Sequence, residues 1–77
     1  MPDTLKRLIA EICDIDAGKI RDSGKLLGYG LDSVRVIDLL IAIEEAYGVE
    51  ISETDPALGK VHTVADLRLL VDERRGA

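Results

Sequence analysis

The stretch Ser33–Tyr47, SVRVIDLLIAIEEAY, decides the fold. Spaced at about 100° per residue on a helical wheel, Val36, Leu39, Leu40, Ile43 and Tyr47 fall on one arc, wide enough to pack a core. Val34, Ile37 and Ile41 fall on a different arc, with Asp38, Glu44 and Glu45 beside it. A small protein cannot readily bury both stripes of one helix. The second stripe is either covered by a neighbouring segment or left exposed for a partner, and periodicity leaves both readings open. If exposed, an apolar strip edged by carboxylates suits a basic, apolar groove on another protein. Gly48 suits the left-handed position that ends the helix.

Upstream, Leu5, Leu8, Ile9 and Ile12 recur at helical spacing and predict a first helix over about residues 4 to 14, capped by Asp3 or Thr4. Residues 15–31, IDAGKIRDSGKLLGYGL, cannot continue it, because Gly18, Gly24, Gly28 and Gly30 interrupt them. Ile15, Ile20, Leu26 and Leu27 give this long loop apolar anchors. Loops of that length are usually functional or packed on the core. The loop does not carry the D-x-D-x-D-G spacing and later glutamate of a calcium loop.

Downstream, VEIS leads to a short turn of helix at Pro56–Leu58, with Ser52 or Thr54 as its cap and Pro56 tolerated in the first turn. The last helix is expected to start at Thr63. Thr63 and Asp66 have capping-box spacing, and Val64, Leu67, Leu70 and Val71 face the core. Arg74 and Arg75 sit where a helix C-terminus favours positive charge. No two-residue period persists, so the expected class is all-α. The expected architecture is a small antiparallel bundle of three main helices plus one short one, with the long loop between helices one and two.

Composition bounds the function. The chain has 77 residues, 47% hydrophobic and 32% charged, with a formal net charge of −5. That fits one globular domain, 1–77, with a modest core. No apolar run approaches the ~18–20 residues of a membrane span, and the N-terminus does not read as a signal peptide. The expectation is a cytoplasmic monomer. Acidity and two aromatic residues argue against nucleic acid, which wants clustered Lys/Arg or stacking platforms. One Cys and one His give no zinc cluster, and no metal site is expected. Cys13, in an apolar helical stretch, reads as a small buried hydrophobe.

Catalysis finds little support. His62 reads as an exposed loop residue, and no G-x-S-x-G elbow surrounds any serine. A domain this small has little volume for a substrate pocket of ~300–1,000 Å³. No enzymatic activity is expected.

Ser33 is a sharper feature. It follows Gly30-Leu31-Asp32 and opens the acidic helix. A serine there is often only an N-cap. It is also a good place to carry a phosphate ester, because free N–H groups and the helix dipole favour negative charge. Gly30-Leu31-Asp32-Ser33-Val34 resembles the prosthetic-group site of acyl carrier proteins. The resemblance extends over nearly the whole chain, through the acidic helix ending in E-E-x-Y-G, the V-E-I-S link and the final helix after T-V-x-D-L. D-S-V alone is weakly specific; D-S-V with EEAYGVEI behind it is strongly so.

The resemblance implies that Ser33 accepts 4′-phosphopantetheine from coenzyme A through a separate Mg²⁺-dependent phosphopantetheinyl transferase, with Asp32 helping that enzyme engage. The arm's thiol then carries acyl-type cargo as a thioester between enzymes of a fatty-acid, polyketide or specialised aminoacyl pathway. A loading acyl or aminoacyl ligase and a downstream synthase or transferase are the further partners it implies. Helix two is the family's recognition helix, which makes Val34, Ile37, Asp38, Ile41, Glu44 and Glu45 partner contacts. The chain departs from the pattern at Arg35, where fatty-acid carriers commonly have an acidic residue. Arg35 reads either as a solvated side chain pairing with Asp32 or Asp38, or as a partner contact that repels the basic patches of a housekeeping synthase and favours a dedicated enzyme. The competing class is a non-covalent helical interaction module that uses the same stripe and carries no prosthetic group.

Overall fold

The computed structural model describes residues 3–76. Three α-helices, α1 (Thr4–Cys13), α2 (Ser33–Tyr47) and α3 (Val64–Gly76), are joined through three short 3-10 turns at Ala17–Lys19, Leu26–Tyr29 and Pro56–Lys60. The described residues contain no strand; their one extended pairing is an isolated bridge between Lys25 and Thr63. None of the helices is long and apolar enough to cross a membrane.

Local chemistry sets each helix end. Asp3 caps α1 by accepting from the Leu5 N–H at 3.0 Å and the Lys6 N–H at 3.4 Å. The helix stops at Cys13 rather than 14, because Asp14 turns left-handed with φ 56°, a conformation Asp tolerates better than most residues. Gly48, φ 69°, ends α2 as expected. Two capping expectations are corrected. The turn after α2 runs on to Lys60, and its cap is Asp55, which accepts from the Ala57 N–H at 2.9 Å. Ser52 and Thr54 instead bond to each other at 2.8 Å. Thr63 stands just outside α3 as half of a capping box: the Asp66 N–H donates to Thr63 Oγ1 at 3.1 Å, and the Thr63 N–H donates to Asp66 Oδ2 at 3.1 Å. Aspartate thus substitutes for the usual Glu or Gln, and it also accepts from the His62 N–H at 3.0 Å. These amide donors hold the Asp66 carboxyl below the ordinary range.

The core collects one face from each helix: Leu5, Ile9 and Cys13 from α1, Leu39, Leu40 and Ile43 from α2, and Val64, Leu67, Leu70 and Val71 from α3. Cys13 is a buried free thiol, and burial pushes its pKa up. The long loop closes one end through Ile20, Leu26 and Leu31, all buried. Leu27 is not an anchor; it is 81% exposed. The 3-10 turn at Leu26–Tyr29 sends its neighbour Leu26 inward, so the two leucines take opposite sides. Tyr29 folds back so that its hydroxyl accepts from the Arg21 N–H at 2.9 Å. A Cβ at Gly24 would lie 1.9 Å from that oxygen, so any larger residue there would push the Tyr29 ring aside.

Backbone bonds strap the loop to the start of α3. Leu26 N–H donates to the His62 carbonyl at 2.9 Å, Val64 N–H to the Gly24 carbonyl at 3.1 Å, and Ala65 N–H to the Asp22 carbonyl at 2.8 Å. The loop therefore satisfies the first two amides of α3, which no turn of that helix can reach. Arg68 fastens the same region: its Nη2 lies 2.5 Å from Asp3 and 2.9 Å from Asp22, with Lys6 3.6 Å from Asp22. At the other end Arg74 pairs with Asp55, and Arg75 lies over the Tyr47 ring, 5.1 Å from its centre.

Arg68 holds the carboxyls of Asp3 and Asp22 below their ordinary range. A depressed carboxyl stabilises the fold above its unfolded pKa and ceases to as pH falls through the folded value. Thermal stability should therefore hold steady from neutral pH down to about 5 and fall below about pH 4. Arg68→Gln should lower the melting temperature at pH 7 by roughly 2–6 °C, in keeping with a partly exposed network. It should also flatten the acid decline. Melts across pH on both proteins check this, and parallel curves would show that Arg68 does not couple to these carboxyls.

Candidate functional site

Ser33 is the first residue of α2 and is exposed. It is not the cap. Asp32 is: backbone extended at φ −88°, its Oδ1 accepts from the Arg35 N–H at 2.8 Å. Among the described residues the Ser33 hydroxyl makes no hydrogen bond, and the Ser33 and Val34 amides have no protein partner. The two helix starts differ on this point. The loop closes the N-terminus of α3, whereas the N-terminus of α2 keeps two donors open beside a free hydroxyl. Open amides and the positive end of the helix dipole favour an anion attached at that hydroxyl. The donor set thus fits a phosphodiester on Ser33 Oγ.

The second stripe of α2 is exposed. Val34 is 68% exposed, Ile37 41% and Ile41 50%, while Leu39, Leu40 and Ile43 are buried and Val36 and Tyr47 half-buried. Neither the long loop nor the Pro56–Lys60 turn covers the stripe. Ile37, Ile41 and Glu44 come together along a groove of about 410 Å³ whose other wall is Glu50–Glu53. Asp38 and Glu45 are exposed beside the stripe without lining that groove.

Arg35 stands apart from the apolar stripe, about 100° around the helix from Val34 and 160° from Ile37. It is exposed, and among the described residues it forms no ion pair with Asp32 or Asp38. Its guanidinium instead lies over Gly30, where a Cβ would come within 3.6 Å of Nη1. The pairing expected of it with Asp32 or Asp38 is corrected on this ground.

Three residues beside Ser33 escaped the sequence reading as site residues. Lys25, Leu27 and His62 line one groove of about 440 Å³ with Asp32 and Ser33. Leu27 looked like an anchor because a Leu-Leu pair in a loop has no period to tell inside from outside. Lys25 and His62 are brought together only by the strap between loop and α3. Behind this groove lies a narrow apolar recess of about 80 Å³, walled by Leu26, Leu31, Val36, Leu40, Leu58 and Val61 among others. Grooves in the volume range of substrate pockets thus do occur on a chain this small. The described residues bring no three His, Cys, Asp or Glu side chains together as a metal site.

Known proteins resemble this chain over most of its length. The family described as the phosphopantetheine attachment site matches residues 3–68. An acyl carrier protein of Zymomonas mobilis is 33% identical over 97% of this chain and 99% of its own length. An acyl carrier protein of Thermotoga maritima is 29% identical over 94% of this chain and 88% of its own. The orsellinic acid synthase of Beauveria bassiana is 32% identical over 84% of this chain, which spans 3% of that protein.

The exposure of the stripe sets its cost of removal. Ile37→Ala and Ile41→Ala should cost no more than about 1 kcal/mol, since roughly half of each side chain already meets solvent and alanine has the better helix propensity. Ile43→Ala, at a fully buried position, should cost about 2–5 kcal/mol. Urea unfolding of the three variants measures this directly. A large loss for Ile37→Ala or Ile41→Ala would return the stripe to the core.

Proposed function

Because the chain belongs to the acyl carrier protein family, whose members are carriers rather than enzymes, we propose that one carrier domain, 1–77, holds 4′-phosphopantetheine on Ser33 Oγ and delivers acyl-type intermediates between enzymes. The pathway is of the fatty-acid, polyketide or specialised aminoacyl kind. The observation that carries this reading is the open start of α2: an exposed, unbonded hydroxyl next to two unpartnered amides, with capping handed to Asp32. When bound, the prosthetic group supplies a flexible arm whose terminal thiol takes cargo as a thioester.

The chain's own residues do the rest. Asp32 fixes the first turn of α2, so the Ser33 hydroxyl is presented to a phosphopantetheinyl transferase without being drawn into a capping bond. Asp32 also lines a groove with Ser33, and there it helps the transferase engage. Val34, Ile37 and Ile41 give a partner an apolar strip to cover, and Asp38, Glu44 and Glu45 give it charge to steer by. The partners of this face are the transferase, a loading ligase and a downstream synthase or transferase. Arg35, on the other flank, meets whichever enzyme approaches the arm from the side of Gly30.

Incubation with coenzyme A, Mg²⁺ and a broad-specificity transferase should add one phosphopantetheine to the intact mass. Ser33→Ala should abolish the gain while keeping the helical fold, because Asp32 and not Ser33 supplies the cap. Loading of the alanine variant at another serine overturns the assignment. An unchanged wild-type mass across several transferases would favour a non-covalent module that uses the same exposed stripe.

Arg35→Asp restores an acidic residue two positions past the attachment serine. Its stability should stay within about ±0.5 kcal/mol, since the side chain is exposed and unpaired. Transfer from the loaded carrier to a housekeeping fatty-acid synthase component should speed up, and transfer to the native partner should slow. The ratio of the two rates, measured at one ionic strength, is the readout. A ratio that does not move makes Arg35 a bystander.

A further inference from the structure

Two grooves flank Ser33, and they differ in charge. One, of about 440 Å³, lies between the end of the long loop and the link before α3, with Lys25 and His62 on its rim and Leu26, Leu31 and Val61 in its walls. The other, of about 420 Å³, runs from Val36 and Ile37 toward Glu53, Thr54 and Leu58. Resting on the reading of Ser33 as the attachment site, we propose that the prosthetic arm folds back into the first groove, with the Lys25 ammonium and the His62 imidazole beside its phosphodiester.

Charge favours that side. A phosphodiester bears one negative charge at any pH near neutrality. In the second groove the charged group it meets is the Glu53 carboxylate, and Thr54 is already bonded to Ser52. In the first groove it meets Lys25, which forms no ion pair among the described residues, and the only histidine of the chain. Asp32 also lines this groove and opposes an anion there. Its Oδ1, however, already accepts the Arg35 N–H at 2.8 Å. Asp66, the other carboxylate next to His62, is engaged by the His62 and Thr63 amides.

The backbone that carries the two donors is also held in place. The His62 backbone is pinned on both sides, its carbonyl by Leu26 N–H at 2.9 Å and its own N–H by Asp66 Oδ2 at 3.0 Å. Lys25 pairs with Thr63, the residue after His62, through the isolated bridge. Leu26, Leu31, Val36 and Val61 wall both this groove and the apolar recess of about 80 Å³ behind it. The apolar part of a folded-back arm would thus lie against the core while the phosphodiester stays at the rim.

Phosphorus NMR of the loaded carrier tests this with no enzyme present after loading. The phosphodiester does not itself titrate near neutrality, so a ³¹P shift that moves between about pH 5 and 8 must report a titrating neighbour, and histidine is the side chain that titrates there. The wild-type resonance should move through that range. In His62→Gln the ³¹P titration should vanish although the mass still shows a full load, and in Lys25→Gln its amplitude should shrink. A flat ³¹P resonance in loaded wild type, or a titration that survives His62→Gln, overturns the placement of the arm. Failure to load at Ser33 is a separate result, read from the mass, and overturns the reading on which the placement rests.

Discussion

The strap between the long loop and the start of α3 is the constraint from which the functional end of this molecule follows. Every α-helix begins with amides that its own turns cannot satisfy. In α3 the Val64 and Ala65 amides are answered by the carbonyls of Gly24 and Asp22, and the Asp66 amide by Thr63 Oγ1. Those bonds fix the loop's path, and that path sends Leu26 and Leu31 into the core and Leu27 out. It also places Lys25 and His62 beside Ser33. The Arg68 contacts to Asp3 and Asp22 then bind the start of α1, the loop and α3 to one another. The loop is therefore a structural part of the site, although it holds little regular structure.

Against that closed helix start, the open one stands out. A fold that satisfies the amides of α3 so fully leaves those of Ser33 and Val34 without a protein partner. Assigning the cap to Asp32 reconciles two demands on the first turn of α2: the turn needs an acceptor, and a modification site needs a hydroxyl with no other bond. A serine cap would have tied up its own hydroxyl. The Asp-Ser order thus gives the cap to one residue and leaves the hydroxyl of the next one free.

What the sequence made legible was what repeats locally. The inward face of α2, the Thr63–Asp66 box and the Gly48 stop depend on spacing within a few residues, and all stand where the spacing put them. The two stripes of α2 were visible as stripes, but whether the second was covered or faced solvent turned on the loop's path, a long-range property. The same limit accounts for the misread caps and anchors. Ser52, Thr54 and Asp55 are equally plausible acceptors in a row, and only the geometry of the Pro56 turn selects Asp55. Leu26 and Leu27 are chemically identical, and the strap alone distinguishes them. His62 was legible as an exposed residue; its neighbourhood with Ser33 spans the sequence distance from the second helix to the third.

The two flanks of α2 leave Ser33 in an asymmetric field. On one side Ile37, Ile41 and Glu44 share a groove with Glu50 and Glu53, an apolar floor under carboxylates. On the other, Lys25 and His62 share a groove with Asp32 and Ser33. A formal net charge of −5 therefore does not describe the surface around Ser33, where one groove is lined by carboxylates and the other holds basic side chains as well as one carboxylate. Interactions between exposed charges fade over about 10 Å at ordinary salt, so a charged group approaching along the Glu50–Glu53 wall and one approaching the groove of Lys25 and His62 meet different local fields.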